Sequence, residues 1–96
     1  MPRYAARVDD NQAEIVGYLR KVGCSVQSLA TMGKGVPDLL VGLRGENYLF
    51  EIKDGNKPAS RKNLTSDEDT WHERWCGQVN VIESIDDALT ILQLIG

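Results

Sequence analysis

The stretch Gly35-Val36-Pro37-Asp38-Leu39-Leu40-Val41-Gly42-Leu43-Arg44-Gly45-Glu46-Asn47-Tyr48-Leu49-Phe50-Glu51-Ile52-Lys53 decides how the chain folds. Two apolar runs, 38–43 and 48–53, flank Arg44-Gly45-Glu46-Asn47, which carries turn chemistry. They read as the two strands of an antiparallel hairpin. Residues two apart on a strand share a face, so Glu51 and Lys53 point the same way. A turn centred between Gly45 and Glu46 sets Asp38 opposite Lys53 and diagonal to Glu51, with all three on one face. A slip of one residue would send Asp38 to the other face.

The rest of the chain is read outward from this hairpin. Upstream, Ile15, Val16, Leu19 and Val22 recur at helical spacing. Asp9 or Asp10 caps that helix, which runs to about Lys21 and stops at Gly23. Residues 1–8 read as an arm. The segment 24–29 alternates loosely and reads as a first strand, followed by a loop over 30–37. Downstream, 54–63 is a polar, basic loop. Thr65-Ser66-Asp67-Glu68 is a capping box opening a helix to about Cys76, ended by Gly77. A short strand over 78–82 follows, and Ser84 caps a last helix through Ala88, Leu89, Ile91 and Leu92. The order α-β-β-β-α-β-α predicts an α/β fold, a mixed central sheet flanked by helices.

The 96 residues make one domain with a modest core. Hydrophobic content of 42% and charged content of 26% are ordinary for a globular chain. No apolar run approaches the roughly 18 residues of a membrane span, and the start lacks a signal-peptide pattern. A soluble, cytoplasmic protein is expected. Cys24 and Cys76 make neither a disulfide framework nor a zinc pattern, and read as two core thiols. The net charge of −3 weighs against a nucleic-acid partner, but its distribution is uneven. Lys53, Lys57, Arg61 and Lys62 share one short window, and Arg3 and Arg7 sit near the start.

Two carboxylates beside a lysine on one sheet face have a chemical meaning. Oxygen ligands at close range suit Mg²⁺ or Mn²⁺. Such a metal polarises a phosphodiester and acidifies a bound water. The lysine orients or deprotonates that water, or stabilises the charge developing on phosphorus. The plainer alternative is an Asp–Lys cross-strand pair with a solvated Glu, worth only about 0.2–1 kcal/mol.

The text Gly35-Val36-Pro37-Asp38 followed by Glu51-Ile52-Lys53 resembles the PD-(D/E)xK nuclease signature. Its surroundings are similar to the VRR-NUC (virus-type replication-repair nuclease) branch, including small standalone phage members. The segment Leu64–Glu68 with Trp71, His72 and Trp75 is similar to that branch's helix after the motif. The resemblance covers roughly residues 10–90 and implies a restriction-endonuclease-like core of αβββαβ(α) order. It further implies that Asp38, Glu51 and the Ile52 backbone carbonyl hold the metal, with Lys53 acting on the water or the transition state. Glu14 matches a metal-linked glutamate on the first helix, against the alternative of an exposed helix acid. Relatives often carry glutamine near the start of the helix after the motif. Here Glu68 stands in that place, a candidate DNA contact, either as capping-box partner only or as added negative charge beside the metal that changes phosphate affinity.

Further residues admit two readings each. His72 shares a helix face with Glu68 and is a phosphate contact or an ordinary surface histidine. Trp71 and Trp75 read as core or dimer-interface packing in preference to base stacking. Lys34, Lys57, Arg61 and Lys62 are DNA-backbone candidates or solvated cations. Gly33-Lys34-Gly35 lacks the Walker spacing, so no nucleotide cofactor is expected. The leading expectation is a Mg²⁺/Mn²⁺-dependent endodeoxyribonuclease, homodimeric and resolving four-way (Holliday) junctions. The rivals are a less selective nickase that needs a partner, and a non-catalytic nucleic-acid-binding module.

Overall fold

The computed structural model describes residues 11–55 and 63–95. The described chain runs through helix α1 (Gln12–Lys21), strand β1 (Ser25–Ser28), a 3-10 turn (Ala30–Met32), and strands β2 (Leu39–Leu43) and β3 (Glu46–Ile52). Helix α2 (Ser66–Arg74), strand β4 (Asn80–Ile82) and helix α3 (Ile85–Ile91) follow. The strands form one sheet in the order β1-β2-β3-β4. The first three are antiparallel, and β4 runs parallel to β3. This is the mixed α/β architecture expected from the sequence.

The hairpin differs from expectation in register. Leu43 pairs with Glu46 and Leu39 with Phe50, so the turn is the two residues Arg44 and Gly45. Both have positive φ, 54° and 80°, the conformation that suits the twist of a tight hairpin. Arg44 is not a residue that favours that region. Its guanidinium, however, donates to the Leu92 carbonyl just past α3, which ties the turn down. The sequence reading centred a wider turn two residues out of register. Because that error is even, the facing of every side chain is unchanged.

Strand alternation then sorts the residues. Leu39, Val41, Phe50, Ile52 and Ile82 are buried with Ile15 and Leu19 of α1 and with Ala88, Leu89 and Leu92 around α3. Each of these side chains except Ala88 contributes about 1.5–3 kcal/mol relative to exposure. The intervening residues Leu40, Leu49, Glu51 and Lys53 therefore face away from that core. Cys24 belongs to the core, but Cys76 is exposed, which corrects the reading of two core thiols. It follows α2, a helix that buries none of its residues.

Asn11 occupies the N-cap of α1; the arm 1–8 and the caps Asp9 and Asp10 lie outside the described residues. The Asn11 amide donates to the Glu83 carbonyl at 3.2 Å, fastening α1 to the end of β4. Two boundaries fall short of expectation for one reason. Trp75 leaves the helix in an extended conformation and donates from Nε1 to the Gln78 carbonyl at 3.2 Å. Gln78 in turn binds both the N–H and the carbonyl of Leu49 with its side-chain amide, at 2.7 and 2.9 Å. That amide takes the place of a backbone partner, so β4 begins only at Asn80.

Candidate active site

Continuing the observed register sets Asp38 opposite Glu51, not opposite Lys53, and Pro37 opposite Ile52. Proline has no N–H to give. The Ile52 N–H donates instead to the Asp38 carboxylate, Oδ2, at 2.7 Å. The N–H and carbonyl of one strand residue point to the same side, so the Ile52 carbonyl also faces this edge, with no N–H opposite it. The Pro-Asp pair thus does two things: it ends the ladder, and it brings a carboxylate and a carbonyl to one place.

The Asp38 and Glu51 carboxyl groups come within hydrogen-bonding reach of each other. Glu51 is only 2% exposed, and its Oε1 has no hydrogen-bond partner. Burial raises the Asp38 carboxyl above the ordinary aspartate range. Burial, and then the neighbouring Asp38 charge, push Glu51 up to about 10. Two carboxyls this close, Glu51 buried and Asp38 half-buried, cannot both be ionised without a cation or a proton between them.

Helix α2 brings the third group. Its cap is the expected box: Thr65 Oγ1 accepts from the Glu68 N–H at 3.2 Å, and Glu68 Oε1 accepts from the Thr65 N–H at 2.9 Å. The same Oε1 pairs with Lys53 Nζ at 2.8 Å. Glu68 is thus both cap and partner of the candidate catalytic lysine. Partial burial works to raise its carboxyl, but the Lys53 and Thr65 hydrogen bonds outweigh that and hold it below the usual range. One turn on, His72 Nε2 lies 4.0 Å from Glu51 Oε1, too far to hydrogen-bond, and neither atom has a partner.

Gly35 locks α2 against the loop that leads through Asp38 into β2. A Cβ there would run into the Asp67 carbonyl, and its φ of +82° already disfavours a side chain. Gly35→Ala is therefore expected to destabilise the protein by at least about 2 kcal/mol. It should also displace Glu68 from Lys53 in the folded fraction. Urea unfolding checks the first effect, and unchanged stability would contradict this packing role. Glu68→Gln keeps an oxygen for cap and lysine and should retain the fold. Glu68→Ala should lose about 1 kcal/mol of capping, read by thermal melting.

No family model matches the sequence, and no curated protein matches it. Among solved structures, one described as a VRR_NUC domain superposes with a TM-score of 0.61 at 27% identity, over 85% of this chain and 89% of that chain. The chain has a VRR_NUC-like fold. The resemblance read from residues 35–38 and 51–53 is thereby borne out.

The VRR_NUC-like core does not gather every candidate. Glu14 is exposed on α1 and lines a separate hollow with Asp54, Glu83 and Asp87; no residue of the Asp38–Glu51–Lys53 group lines it. Lys57, Arg61 and Lys62 lie outside the described residues. Lys34 is exposed and lines a hollow with Trp71, Arg74 and Trp75. Those indoles are not core: Trp75 is 45% exposed. Sequence reasoning missed Arg74, although its spacing from Thr70 and Trp71 along α2 was the available signal. It also missed the Lys53–Glu68 pair, which joins residues 15 positions apart and has no local signature.

The donor set is suited to a hard cation. Among the described residues, no three His, Cys, Asp or Glu side chains gather to hold a metal by themselves. Mg²⁺, however, commonly takes one or two carboxylates and completes its shell with water and substrate oxygens. Asp38, Glu51 with its partnerless Oε1, and the Ile52 carbonyl supply such a set.

Proposed function

We propose that the protein is a metal-dependent endodeoxyribonuclease that hydrolyses DNA phosphodiesters. The observation that carries this reading is the pairing of the buried Glu51 carboxyl with the half-buried Asp38 carboxyl beside Lys53 on one sheet face, in a chain with a VRR_NUC-like fold. Asp38, Glu51 and the Ile52 carbonyl would hold Mg²⁺ or Mn²⁺, with Glu14 acting from farther off. When bound, the metal supplies Lewis-acid polarisation of the phosphodiester and a more acidic water.

The chain's own residues do the rest. Water adds to phosphorus and the bond to the leaving oxygen breaks. Lys53, a donor in its ion pair with Glu68, gives hydrogen bonds to the phosphate oxygens as their charge grows. Lys34, Lys57, Arg61, Lys62 and His72 meet the DNA backbone, giving affinity without sequence reading.

Recognition rests on DNA shape, through the backbone contacts, and not on base sequence. Two symmetric nicks on a four-way junction need two active sites, which a two-fold homodimer provides. We infer that the protein acts as one domain, as a dimer, in the cytoplasm, on branched DNA of the Holliday-junction kind. The test is cleavage of labelled four-way junction, flap and linear duplex, with light scattering at micromolar protein. Paired symmetric nicks on the junction by a dimer are expected. Equal cutting of linear duplex would remove the selectivity, and an active monomer would remove the dimer.

A further inference from the structure

The two tryptophans of the chain stand together on and at the end of the helix that carries Glu68 and His72. Trp71 and Trp75, one turn apart on and just after α2, are stacked with ring centroids 4.6 Å apart and planes 19° from parallel. They line an open hollow of about 370 Å³ with Lys34, Arg74, Thr70 and Asp67. That volume lies within the range of about 300–1,000 Å³ typical of small-ligand sites.

The platform is built, not incidental. The Trp75 indole N–H is fixed on the Gln78 carbonyl at 3.2 Å, and the ring lies over Gly77, where a Cβ would meet Nε1 at 2.9 Å. Lys34 sits between two glycines with φ of 55°, in a loop that Gly35 docks on the Asp67 carbonyl. Its backbone is therefore held at the rim. Arg74 adds a second cation against the single carboxylate of Asp67. On the other side, the Trp71 ring meets the His72 ring edge-on at 6.0 Å, and His72 approaches Glu51. One helix thus joins aromatic platform to carboxyl pair.

We propose that this hollow binds an unpaired nucleotide of the substrate strand, its base adding to the indole stack and its phosphates meeting Lys34 and Arg74. The charge complementarity favours a polyanion, and the flat ring face favours a base that is not held in a duplex. The proposal rests on the nuclease reading in taking DNA as the ligand, and it deepens it: the strand is gripped where pairing is broken.

Because both tryptophans of the chain are in the platform, intrinsic fluorescence reports on it directly. The probe is oligothymidylate, compared with a blunt duplex, in EDTA so that nothing is cut. Oligothymidylate should quench the emission and the duplex should not. Trp71→Ala and Trp75→Ala should weaken oligothymidylate binding by about 10–100-fold, the range for loss of one base–aromatic stack, with Trp71→Phe restoring most of it. Lys34→Ala and Arg74→Ala should each flatten the salt dependence by about one counterion. Unmoved fluorescence while the strand binds, or alanine variants that bind like wild type, would overturn the proposal. So would alanine variants that split a dimer and leave strand binding intact, which would make the platform a subunit interface. Quenching without any metal-dependent cleavage would keep the platform and remove the nuclease, whereas cleavage with silent tryptophans would do the reverse.

Discussion

Lys53→Met is expected to lower the rate of DNA cleavage by about 10²–10³-fold, the usual cost of removing one donor aimed at transition-state charge. The substitution keeps the length of the side chain and removes only the ammonium. Lys53 is 7% exposed and its Nζ sits 2.8 Å from Glu68 Oε1, so the group is placed before substrate arrives. DNA affinity should change little, because phosphate contacts elsewhere dominate binding. Lys53→Arg should not restore the rate, since a planar fork cannot occupy the place of a point charge in this packed corner. Single-turnover cleavage and filter binding on the same variants separate the two effects. A Lys53→Met protein that cleaves normally would reduce the ion pair to a strut between β3 and α2.

Glu51→Gln is expected to stabilise the metal-free protein while abolishing its response to metal. The folded-state value of Glu51 is raised to about 10 from the ordinary 4.5. Between those values the folded state holds a proton that the unfolded state has released. The contribution of Glu51 to the stability of the metal-free protein is therefore fullest below pH 4.5 and falls as pH rises towards 10. Each unit of that interval is worth about 1.36 kcal/mol at most. The glutamine has no proton to lose and escapes the loss. Near pH 8 the gain should be a few kcal/mol, on the order of 10 °C in Tm for a chain of this size. Mn²⁺ should then raise the Tm of the wild type and leave Glu51→Gln unmoved. Thermal melts in EDTA and in Mn²⁺, across pH, read both effects. A variant less stable than wild type in EDTA would mean that Glu51 is an ordinary satisfied carboxylate.

The sequence carried the parts of this site that depend on parity and on local hydrogen bonds. Glu51 and Lys53 share a face whatever the turn, and Asp38 joins them under any even shift of register. That is why a hairpin misplaced by two residues still put the three side chains on the same face. The Thr65–Glu68 capping box is local and was legible as written. What lay beyond reach depends on contacts between distant segments. Arg44 adopts a left-handed turn because Leu92 receives its guanidinium. Gln78 substitutes a side chain for a strand partner because Leu49 presents both backbone groups to it. Trp71 and Trp75 have the spacing of core residues, and only the placement of α2 over the site face leaves them in an open hollow. Glu14 matches a motif position, but the fold sets it in the hollow with Asp54 and Asp87.

Whether a divalent metal drives hydrolysis by this protein is decided by a single cleavage assay. Folded wild-type protein is incubated with end-labelled single-stranded, duplex and four-way-junction DNA in Mg²⁺, in Mn²⁺ and in EDTA. Cleavage in Mn²⁺ or Mg²⁺ that stops on chelation, and that Lys53→Met and Glu51→Gln both lose, is the expected result. Every substrate left intact in either metal, by protein shown to be folded, would contradict the account.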